Sequence, residues 1–274
     1  MGAGPIGLIT ALGLAHYGIA SVVFEDDRQL SLETKAGTIL SRTLEIFHRY
    51  GVADKVLAKA LRVDEIGEID KRTQVSTFPV KLYVLSDETQ YPFVINLPQQ
   101  DLEPVLAQAA KDSGLVELRM HSKFERYEQF DDHVILIVNT PNGQESFEAS
   151  FLLGCDGGRS TVRQQMGVKV EGMSLPTKYA LVDLEVDLDV ENPRDYPYLA
   201  YFSDPDEWMI LVRHPHCWRF LYPMTPDAPD PTEQELKDKT LSFIGEVKNF
   251  KIINKVTYKV HHRVAHSWRR DRVI

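Results

Sequence analysis

The first 25 residues constrain the fold more than any other stretch, because they join a glycine-rich turn, an apolar helical pattern and a strand that ends on an acid. The turn reads Gly2-Ala3-Gly4-Pro5-Ile6-Gly7. In a turn that binds a dinucleotide, the first glycine allows the tight bend, the second lets the backbone approach a pyrophosphate, and the third lets the helix pack on the sheet. The phosphates then lie at the positive end of the helix dipole. The pattern predicts a dinucleotide site at Gly2, Gly4, Pro5 and Gly7, with a glycine-rich turn of another α/β protein as the alternative.

Two acidic residues follow the next predicted strand. Glu25 stands about 20 residues after the glycines, where a carboxylate accepts hydrogen bonds from the ribose of a bound dinucleotide. A solvated carboxylate at the end of a strand is the alternative. We include the neighbouring Asp26 in the same predicted site. Only Met1 precedes the glycine turn, where a buried strand normally stands, so we expect the sequence to be part of a longer protein.

Composition narrows the range of partners. The net charge of −9 and the pI near 5.5 argue against nucleic acid or an anionic membrane surface as the main partner. Cys155 and Cys217 lack the spacing of a metal site, so we expect buried thiols in a reducing compartment. No apolar run reaches the roughly 18 residues of a spanning helix, and no signal-peptide pattern precedes the turn. These features predict a cytoplasmic protein without a metal ion.

A second glycine-rich stretch follows an apolar strand and leads into a helix. It reads Gly154-Cys155-Asp156-Gly157-Gly158-Arg159-Ser160-Thr161-Val162-Arg163. Asp156 and Gly157 would lie at the carboxyl end of a sheet, where such residues hold polar groups of a nucleotide. The alternative for Asp156 is a turn residue that bonds its own backbone. Arg163 would pair with Asp156 or reach a phosphate.

Hydrophobic periodicity predicts helices and strands in mixed order. Helices are predicted at 6–17, 42–50 with Ser41 as N-cap, 53–60, 101–113, 160–166 and 232–246. Strands are predicted at 20–24, 74–78, 81–84, 116–120, 123–129, 133–138, 146–153, 179–186, 198–202, 208–213, 218–222 and 255–260. The aromatic-rich strands beyond Gly167 indicate an antiparallel sheet that is distinct from the dinucleotide-binding part.

The two glycine motifs together resemble the class A flavoprotein aromatic hydroxylases, of the p-hydroxybenzoate and phenol hydroxylase kind. Two further segments resemble helix starts of that family, namely Ser41-Arg42-Thr43-Leu44-Glu45-Ile46-Phe47 and Gln99-Gln100-Asp101-Leu102-Glu103. The resemblance runs over essentially the whole chain. The family continues beyond the equivalent of Ile274 with a third FAD motif, and its absence here again indicates part of a longer protein.

The resemblance implies an α/β fold with a glutathione-reductase-type FAD-binding Rossmann domain and an inserted antiparallel β-sheet substrate layer. The FAD-binding domain would comprise residues 1–70 and 99–170, plus 266–274. The substrate-binding sheet would comprise residues 71–98 and 171–265. FAD would be the cofactor, with NADH or NADPH as co-substrate, and the protein would hydroxylate a phenolic or other aromatic small molecule with O2. A homodimer is a further possibility that the resemblance leaves open.

The resemblance also assigns roles to individual residues. Gly2, Gly4, Gly7 and Glu25 would hold the ADP half of FAD, while Arg42 and Gln99 would lie near the pyrophosphate and the flavin. A surface arginine and a plain helix-start residue are the alternatives for these two. For the aromatic substrate we predict Tyr201, Arg213 and Tyr222, and no catalytic base is assigned. The histidines at 214, 216, 261 and 262 lack the spacing and company of metal ligands.

Two other functions stay open from the sequence. One is a related flavoprotein with different chemistry, of the halogenase or polyprenyl reductase type. The other is a catalytically inactive nucleotide-binding fragment, which the lack of the third FAD motif favours.

Overall fold

The computed structural model describes residues 1–186, 188 and 196–274 of the chain. Over these residues the fold is mixed α/β, with helices interspersed among several sheets. The helices are α1 (Pro5–His16), α2 (Ser41–Arg49), α3 (Ala53–Leu57), α4 (Gln99–Asp112), α5 (Thr161–Gln165) and α6 (Glu233–Ile244).

The strands fall into two groups along the chain. The first group is β1 (Ser21–Phe24), β2 (Thr38–Ile39), β3 (Leu61–Val63), β4 (Glu65–Asp70), β5 (Val80–Lys81), β6 (Val94–Asn96) and β7 (Val116–Arg119). The second group is β8 (Lys123–Gln129), β9 (Val134–Thr140), β10 (Gly143–Ala149), β11 (Val170–Glu185), β12 (Leu199–Ser203), β13 (Met209–His214), β14 (Cys217–Met224) and β15 (Lys251–Ala265).

The part around the glycine turn is built on a parallel pair of strands. β1 pairs with β7 in parallel, as strands joined through a long crossover do. Helices α1 and α4 share one apolar core, to which α1 contributes Leu8 and Leu12 and α4 contributes Leu102 and Leu106. The antiparallel sheet β2-β6-β3 continues this core through Ile39. The core therefore places the start of α1 and the start of α4 in one layer.

A second core supports the other glycine motif. The antiparallel sheet β10-β9-β8 buries Val134 and Leu136 against Phe24 and against Val162 of α5. Leu152, just before the motif, bridges in parallel to Val273. These contacts bring the segment after Leu152 beside the end of β1, where Glu25 stands.

A seven-stranded sheet forms the other large unit, in the order β15-β11-β14-β13-β12-β4-β5. Its neighbouring strands are antiparallel except that β12 runs parallel to β4. Because side chains alternate along a strand, each strand offers two faces. One face packs on α6 through Trp218, Phe220 and Tyr222. The opposite face packs on Val63 and Val94 of the β2-β6-β3 sheet.

The order of helices and strands follows the sequence prediction in most segments, but two predicted strands are wrong. Residues 74–78 form no continuous strand, and only Ser76 makes an isolated antiparallel bridge, to Ile69 of β4. The Asp70 carboxylate accepts hydrogen bonds from the backbone of Arg72 and Thr73, and such local bonds compete with sheet pairing. In the segment 81–84, β5 ends at Lys81 and a 3-10 helix over Leu82–Leu85 follows, which turns Leu82 into the core.

A third difference concerns the start of α2. The helix begins at Ser41 itself, with Leu40 as its N-cap. The Ser41 hydroxyl donates instead to the carbonyl oxygen of Phe93, 3.1 Å away. The prediction that the Ser41 side chain caps this helix is therefore wrong, because its hydroxyl binds a residue that is distant in sequence.

The predicted division into two domains stays a prediction, although the sheets do not follow its boundaries in every segment. β4, inside the predicted cofactor segment 1–70, belongs to the seven-stranded sheet. β6, inside the predicted substrate segment 71–98, pairs with β2 and β3. The predicted segment 171–265 also contains positions 187 and 189–195, which lie outside the described residues.

The packing of Phe243 generates a stability prediction. Its ring is 1% exposed and lies against Phe202 and Tyr222, with centroid distances of 6.0 and 6.1 Å. Substitution Phe243→Ala should lower the free energy of unfolding by about 3–5 kcal/mol, because it removes a large buried ring and leaves a cavity. Phe78, which is 75% exposed, is the matched control, and Phe78→Ala should change it by less than about 0.5 kcal/mol. Denaturant titration measures both, and equal effects would contradict the assigned packing.

Candidate cofactor site

The glycine turn is held by close main-chain contacts. Gly2 adopts φ +92°, and a Cβ atom there would lie 2.3 Å from the carbonyl oxygen of Cys155. A Cβ atom at Gly7 would lie 1.9 Å from the carbonyl oxygen of Gly2. Both glycines are therefore required by the fold itself. Gly4 differs, since a Cβ atom there would meet nothing within 4 Å. The space beside Gly4, at the N-cap of α1, is open to an approaching ligand.

Glu25 reaches back to this turn. Its Oε2 accepts a hydrogen bond from the backbone N–H of Ala3 at 2.6 Å, and its Oε1 accepts one from Asp27 at 3.1 Å. The carboxylate thus stands beside the start of α1, where sequence reasoning expects a ribose acceptor. The neighbouring Asp26 forms an exposed ion pair with Lys123 at 3.8 Å.

Asp156 closes the site from the other glycine motif. Its Oδ2 accepts hydrogen bonds from the backbone N–H groups of Thr161 and Val162, at 2.7 and 3.2 Å. Its Oδ1 is buried and has no hydrogen-bond partner among the described residues. A buried carboxylate oxygen without a partner is costly, so this atom is available to a polar ligand group. The turn-residue alternative accounts for Oδ2 and leaves Oδ1 unexplained.

The rest of this motif is organised as a short capped helix. Gly157 adopts φ +78°, and the Ser160 hydroxyl accepts a hydrogen bond from the backbone N–H of Arg163 at 2.9 Å. The Arg163 guanidinium donates to the carbonyl oxygen of Gly158 at 3.1 Å. No ion pair between Arg163 and Asp156 is found among the described residues, and the alternative, in which Arg163 reaches a phosphate, stays a prediction.

One cavity of about 430 Å³ joins these groups. The predicted residues along its wall are Gly2, Gly4, Pro5, Glu25, Asp26, Gln99, Asp156 and Gly157. Residues to which the sequence assigned no role also line it, among them residues 29–31, Lys35, Glu103, Lys123 and Thr161. The structure thus brings both glycine motifs and the start of α4 to one polar cavity.

Glu103 organises the α4 side of the cavity. It is 2% exposed, and its two oxygens accept hydrogen bonds from the Gln99 side chain at 2.6 Å and from the backbone N–H of Ser31 at 2.8 Å. A buried carboxylate has to find such donors. The only sequence signal was a glutamate one helical turn after Gln99, on the same helix face.

Arg42 lies outside this cavity. Its guanidinium side chain is 75% exposed and pairs with Glu45 at 2.7 Å, one turn along α2. This placement agrees with the alternative of a surface arginine in the first turn of a helix. A role of Arg42 towards the flavin stays a prediction.

The three predicted substrate residues do not come together. Tyr201 is 45% exposed, and its register with Ile210 puts it on the face opposite α6. Tyr222 lies on the α6 face, where its hydroxyl meets the Thr240 hydroxyl at 2.6 Å and burial raises its pKa. Arg213 pairs across the strands with Trp218 and stacks over its ring. Strand alternation therefore separates Tyr201 from the other two.

A buried histidine packs where the seven-stranded sheet meets the segment before β2. His214 is fully buried, and a Cβ atom at Gly37 would lie 2.0 Å from its Cε1. Neither ring nitrogen has a hydrogen-bond partner among the described residues. Burial, together with the positive charge of Arg219, lowers the pKa of His214 to about 3. The imidazole is therefore neutral at physiological pH.

Metal and membrane features are not found in the described part of the chain. Over residues 1–186, 188 and 196–274, no group of three or more His, Cys, Asp or Glu side chains could hold a metal ion. No helix in the same ranges is long and apolar enough to cross a membrane. Both cysteines are free thiols, and burial raises the pKa of Cys217 to about 12.

The cavity and both glycine motifs belong to a known class of cofactor-binding domain. The sequence profile of the FAD binding domain family matches residues 1–274. The chain therefore belongs to that family, and the resemblance to flavoprotein aromatic hydroxylases noted from its motifs is confirmed.

Individual relatives agree with this assignment. The chain is 27% identical to the para-nitrophenol 4-monooxygenase of Pseudomonas sp. (strain WBC-3), over 100% of the chain and 68% of that protein. It is also 27% identical to the 3-(3-hydroxy-phenyl)propionate/3-hydroxycinnamic acid hydroxylase of Escherichia coli (strain K12), of which it covers 49%. Its fold matches the crystal structure of p-nitrophenol 4-monooxygenase PnpA from Pseudomonas putida DLL-E4 with a TM-score of 0.89 and 26% identity, covering 100% of this chain and 70% of that one. The chain thus spans between half and about two thirds of these relatives.

The residues present fit FAD. A dinucleotide needs a backbone that a pyrophosphate can approach, and Gly4 leaves that space open. It needs an acceptor for ribose hydroxyls, and Glu25 stands at the turn. The unpartnered Oδ1 of Asp156 is a further acceptor in the same cavity.

The buried His214 generates a prediction on pH. An unfolded histidine takes up a proton near pH 6.5, whereas the folded one does so only near pH 3. The unfolded state therefore binds more protons in this window, and His214 lowers the free energy of unfolding as the pH falls from 6.5 towards 3. His214→Gln should flatten the decline, by at most about 1.4 kcal/mol per pH unit. Denaturant unfolding at several pH values measures the slope.

The exposed His216 provides the matched control for this measurement. His216→Gln should keep the wild-type slope between pH 6.5 and 3. A His214→Gln slope equal to wild type would contradict a neutral, buried imidazole.

Proposed function

We propose that this chain is the FAD-binding and substrate-sheet part of an FAD-dependent monooxygenase that hydroxylates a phenolic or other aromatic small molecule. O2 and either NADH or NADPH would be the co-substrates. The proposal rests on one cavity that has two features which the fold alone does not explain. These are the open space beside Gly4 and the buried Oδ1 of Asp156, which has no hydrogen-bond partner among the described residues.

The roles of the chain's own residues follow from that cavity. The free N–H groups at the start of α1 would receive the pyrophosphate, and Glu25 would accept from a ribose. Asp156 would accept a hydrogen bond from a hydroxyl of the cofactor. Gln99, oriented by Glu103, would donate a hydrogen bond to the cofactor. FAD, when bound, supplies the redox and oxygen chemistry that side chains lack. The protein's part is to bind, to orient and to exclude water.

The glutathione-reductase-type Rossmann arrangement is part of this proposal, and the parallel pair β1 and β7 beside the glycine turn supports it. For the aromatic substrate, we favour the sheet face that carries Tyr201 over the face under α6. The α6 face is filled by the apolar side chains of its own core, including Tyr222. A homodimer and a cytoplasmic location remain parts of the proposal that rest on the resemblance and on composition.

The first experiment is FAD binding by the purified chain. We expect the protein to retain the visible absorption bands of oxidised flavin after FAD is added and the sample is desalted, because the cavity offers N–H donors for the pyrophosphate and carboxylate acceptors for cofactor hydroxyls. A panel of phenols then tests for substrate-dependent oxidation of NADH or NADPH. A colourless protein would contradict FAD binding by this chain and favour the alternative of an inactive fragment.

The glycine turn offers a sharper prediction, because the fold requires a glycine at position 7, whereas position 4 has space for a side chain. Gly4→Ala should change the free energy of unfolding by less than about 1 kcal/mol, since only N-cap preference is affected. The same change should weaken FAD binding by about tenfold or more, because a methyl group would occupy the approach of the pyrophosphate.

Gly7→Ala is the companion variant. It should lower the free energy of unfolding by about 1–3 kcal/mol or more, because its Cβ atom would overlap the carbonyl oxygen of Gly2. Denaturant unfolding and FAD titration of both variants separate the two effects. Unchanged FAD affinity in Gly4→Ala would contradict the placement of the pyrophosphate.

A further inference from the structure

The most buried ion pair between described residues lies on the seven-stranded sheet, on the face opposite α6. Arg219 of β14 and Asp183 of β11 are 4% and 1% exposed. The guanidinium donates in bidentate fashion, from Nε to Oδ1 at 2.7 Å and from Nη2 to Oδ2 at 3.0 Å. Burial would raise the pKa of Asp183, but the hydrogen bonds and charge of Arg219 outweigh it and keep the pKa below its usual value.

The pair also forms hydrogen bonds with the segment that precedes β2. Nη1 of Arg219 donates to the carbonyl oxygen of Lys35, and Nη2 donates to the hydroxyl of Thr34. The Thr34 hydroxyl in turn donates to Oδ2 of Asp183 at 2.9 Å. A single guanidinium therefore joins two strands of the sheet to residues 31–37, which we call the cofactor-side loop.

The cofactor-side loop also forms part of the wall of the cofactor cavity. Ser31 and Lys35 line that cavity. The loop is tied to the α4 segment by hydrogen bonds from the backbone N–H of Gln99 to the carbonyl of Thr34, at 3.2 Å, and from that of Leu97 to the carbonyl of Gly37, at 2.7 Å. Lys35 adopts φ +34°, a conformation that residues other than glycine keep only where their surroundings hold them.

Stability alone does not explain this arrangement. A buried ion pair loses so much hydration that replacing it with apolar residues of similar size often leaves the protein equally or more stable. What apolar residues could not do is donate to the backbone of the cofactor-side loop. All three guanidinium nitrogens of Arg219 donate hydrogen bonds, and two of their four acceptors belong to that loop.

We propose that Arg219 is a positioning residue that holds the cofactor-side loop in the shape the cofactor cavity needs, and thereby couples the substrate sheet to FAD binding. The inference rests on the proposed function for the identity of the ligand. Because coupling between two sites is reciprocal, FAD binding should in turn slow amide hydrogen exchange at β14 around Arg219.

The test uses two variants and one matched control. Arg219→Lys keeps a positive charge beside Asp183, but a single ammonium group lacks the planar fork that reaches both the carboxylate and the loop. Thr34→Val removes only the hydroxyl and leaves the ion pair in place. Asn254→Ala is the control, because the Asn254 amide donates to Oδ2 of Asp183 at 3.4 Å from β15 and has no hydrogen bond to the loop among the described residues.

We expect Arg219→Lys to weaken FAD binding by about tenfold, which lies within the usual range of coupling between two sites. Thr34→Val should weaken FAD binding by a smaller factor. Amide exchange at Leu97 and Gln99, whose N–H groups donate to the loop, should accelerate in both variants. Asn254→Ala should leave both readouts at the wild-type value even if it lowers the melting temperature. This pattern would separate positioning from a general loss of stability.

Two results would overturn the inference. One is an Asn254→Ala variant that loses as much FAD affinity as Arg219→Lys. The other is that Thr34→Val and Arg219→Lys, each as a single variant, both keep the wild-type FAD affinity and the wild-type amide hydrogen exchange. If the wild-type chain itself binds no FAD, the proposed function fails, and amide exchange alone decides whether Arg219 orders the loop. Should Arg219→Lys fail to fold, Thr34→Val and Asn254→Ala carry the same comparison.

Discussion

Close main-chain contact at the glycine turn joins the end of β1 and the second glycine motif beside the cavity. The backbone N–H of Gly2 donates to the carbonyl of Phe24 at 2.9 Å, and that of Cys155 donates to the carbonyl of Met1 at 2.8 Å. These bonds fasten the turn to the end of β1 on one side and to the second glycine motif on the other. Glu25 and Asp156 follow directly after the fastened residues. Their carboxylates therefore reach one cavity although they are far apart in sequence.

The second constraint is the contact between the seven-stranded sheet and the layer that carries α1 and α4. Apolar packing of Val63 and Val94 supplies part of it. The buried Arg219–Asp183 pair supplies the polar part and defines where the cofactor-side loop lies against the sheet. In a low-dielectric interior such bonds are directional, so a shift of the loop would leave buried donors without acceptors. The seven-stranded sheet and the cavity are thus parts of one hydrogen-bonded structure.

Much of the candidate site could be predicted because its signals are local. The glycine turn, the acid at the end of β1 and the motif around Asp156 each depend on a strand, a turn and a helix that are adjacent in sequence. The same reasoning assigned no role to Glu103 or to Lys35, since a local pattern shows neither the burial of a carboxylate nor the position of a loop lysine. It also did not indicate the partner of Arg163, and it assigned a capping role to Ser41. In both cases the actual partner is a backbone carbonyl group that sequence spacing does not indicate.

The sequence by itself determined the class of the fold, the dinucleotide character of the site and most of the helices, because these depend on periodicity and on the conformations open to glycine. Tertiary structure decided which faces of the strands meet the cofactor layer. It put Tyr201 and Tyr222 on opposite faces of the sheet, and it joined Arg219 to a loop that is distant in sequence. The physical reason is that burial and pairing of charges depend on the whole packed structure, and no short segment of the chain contains that information.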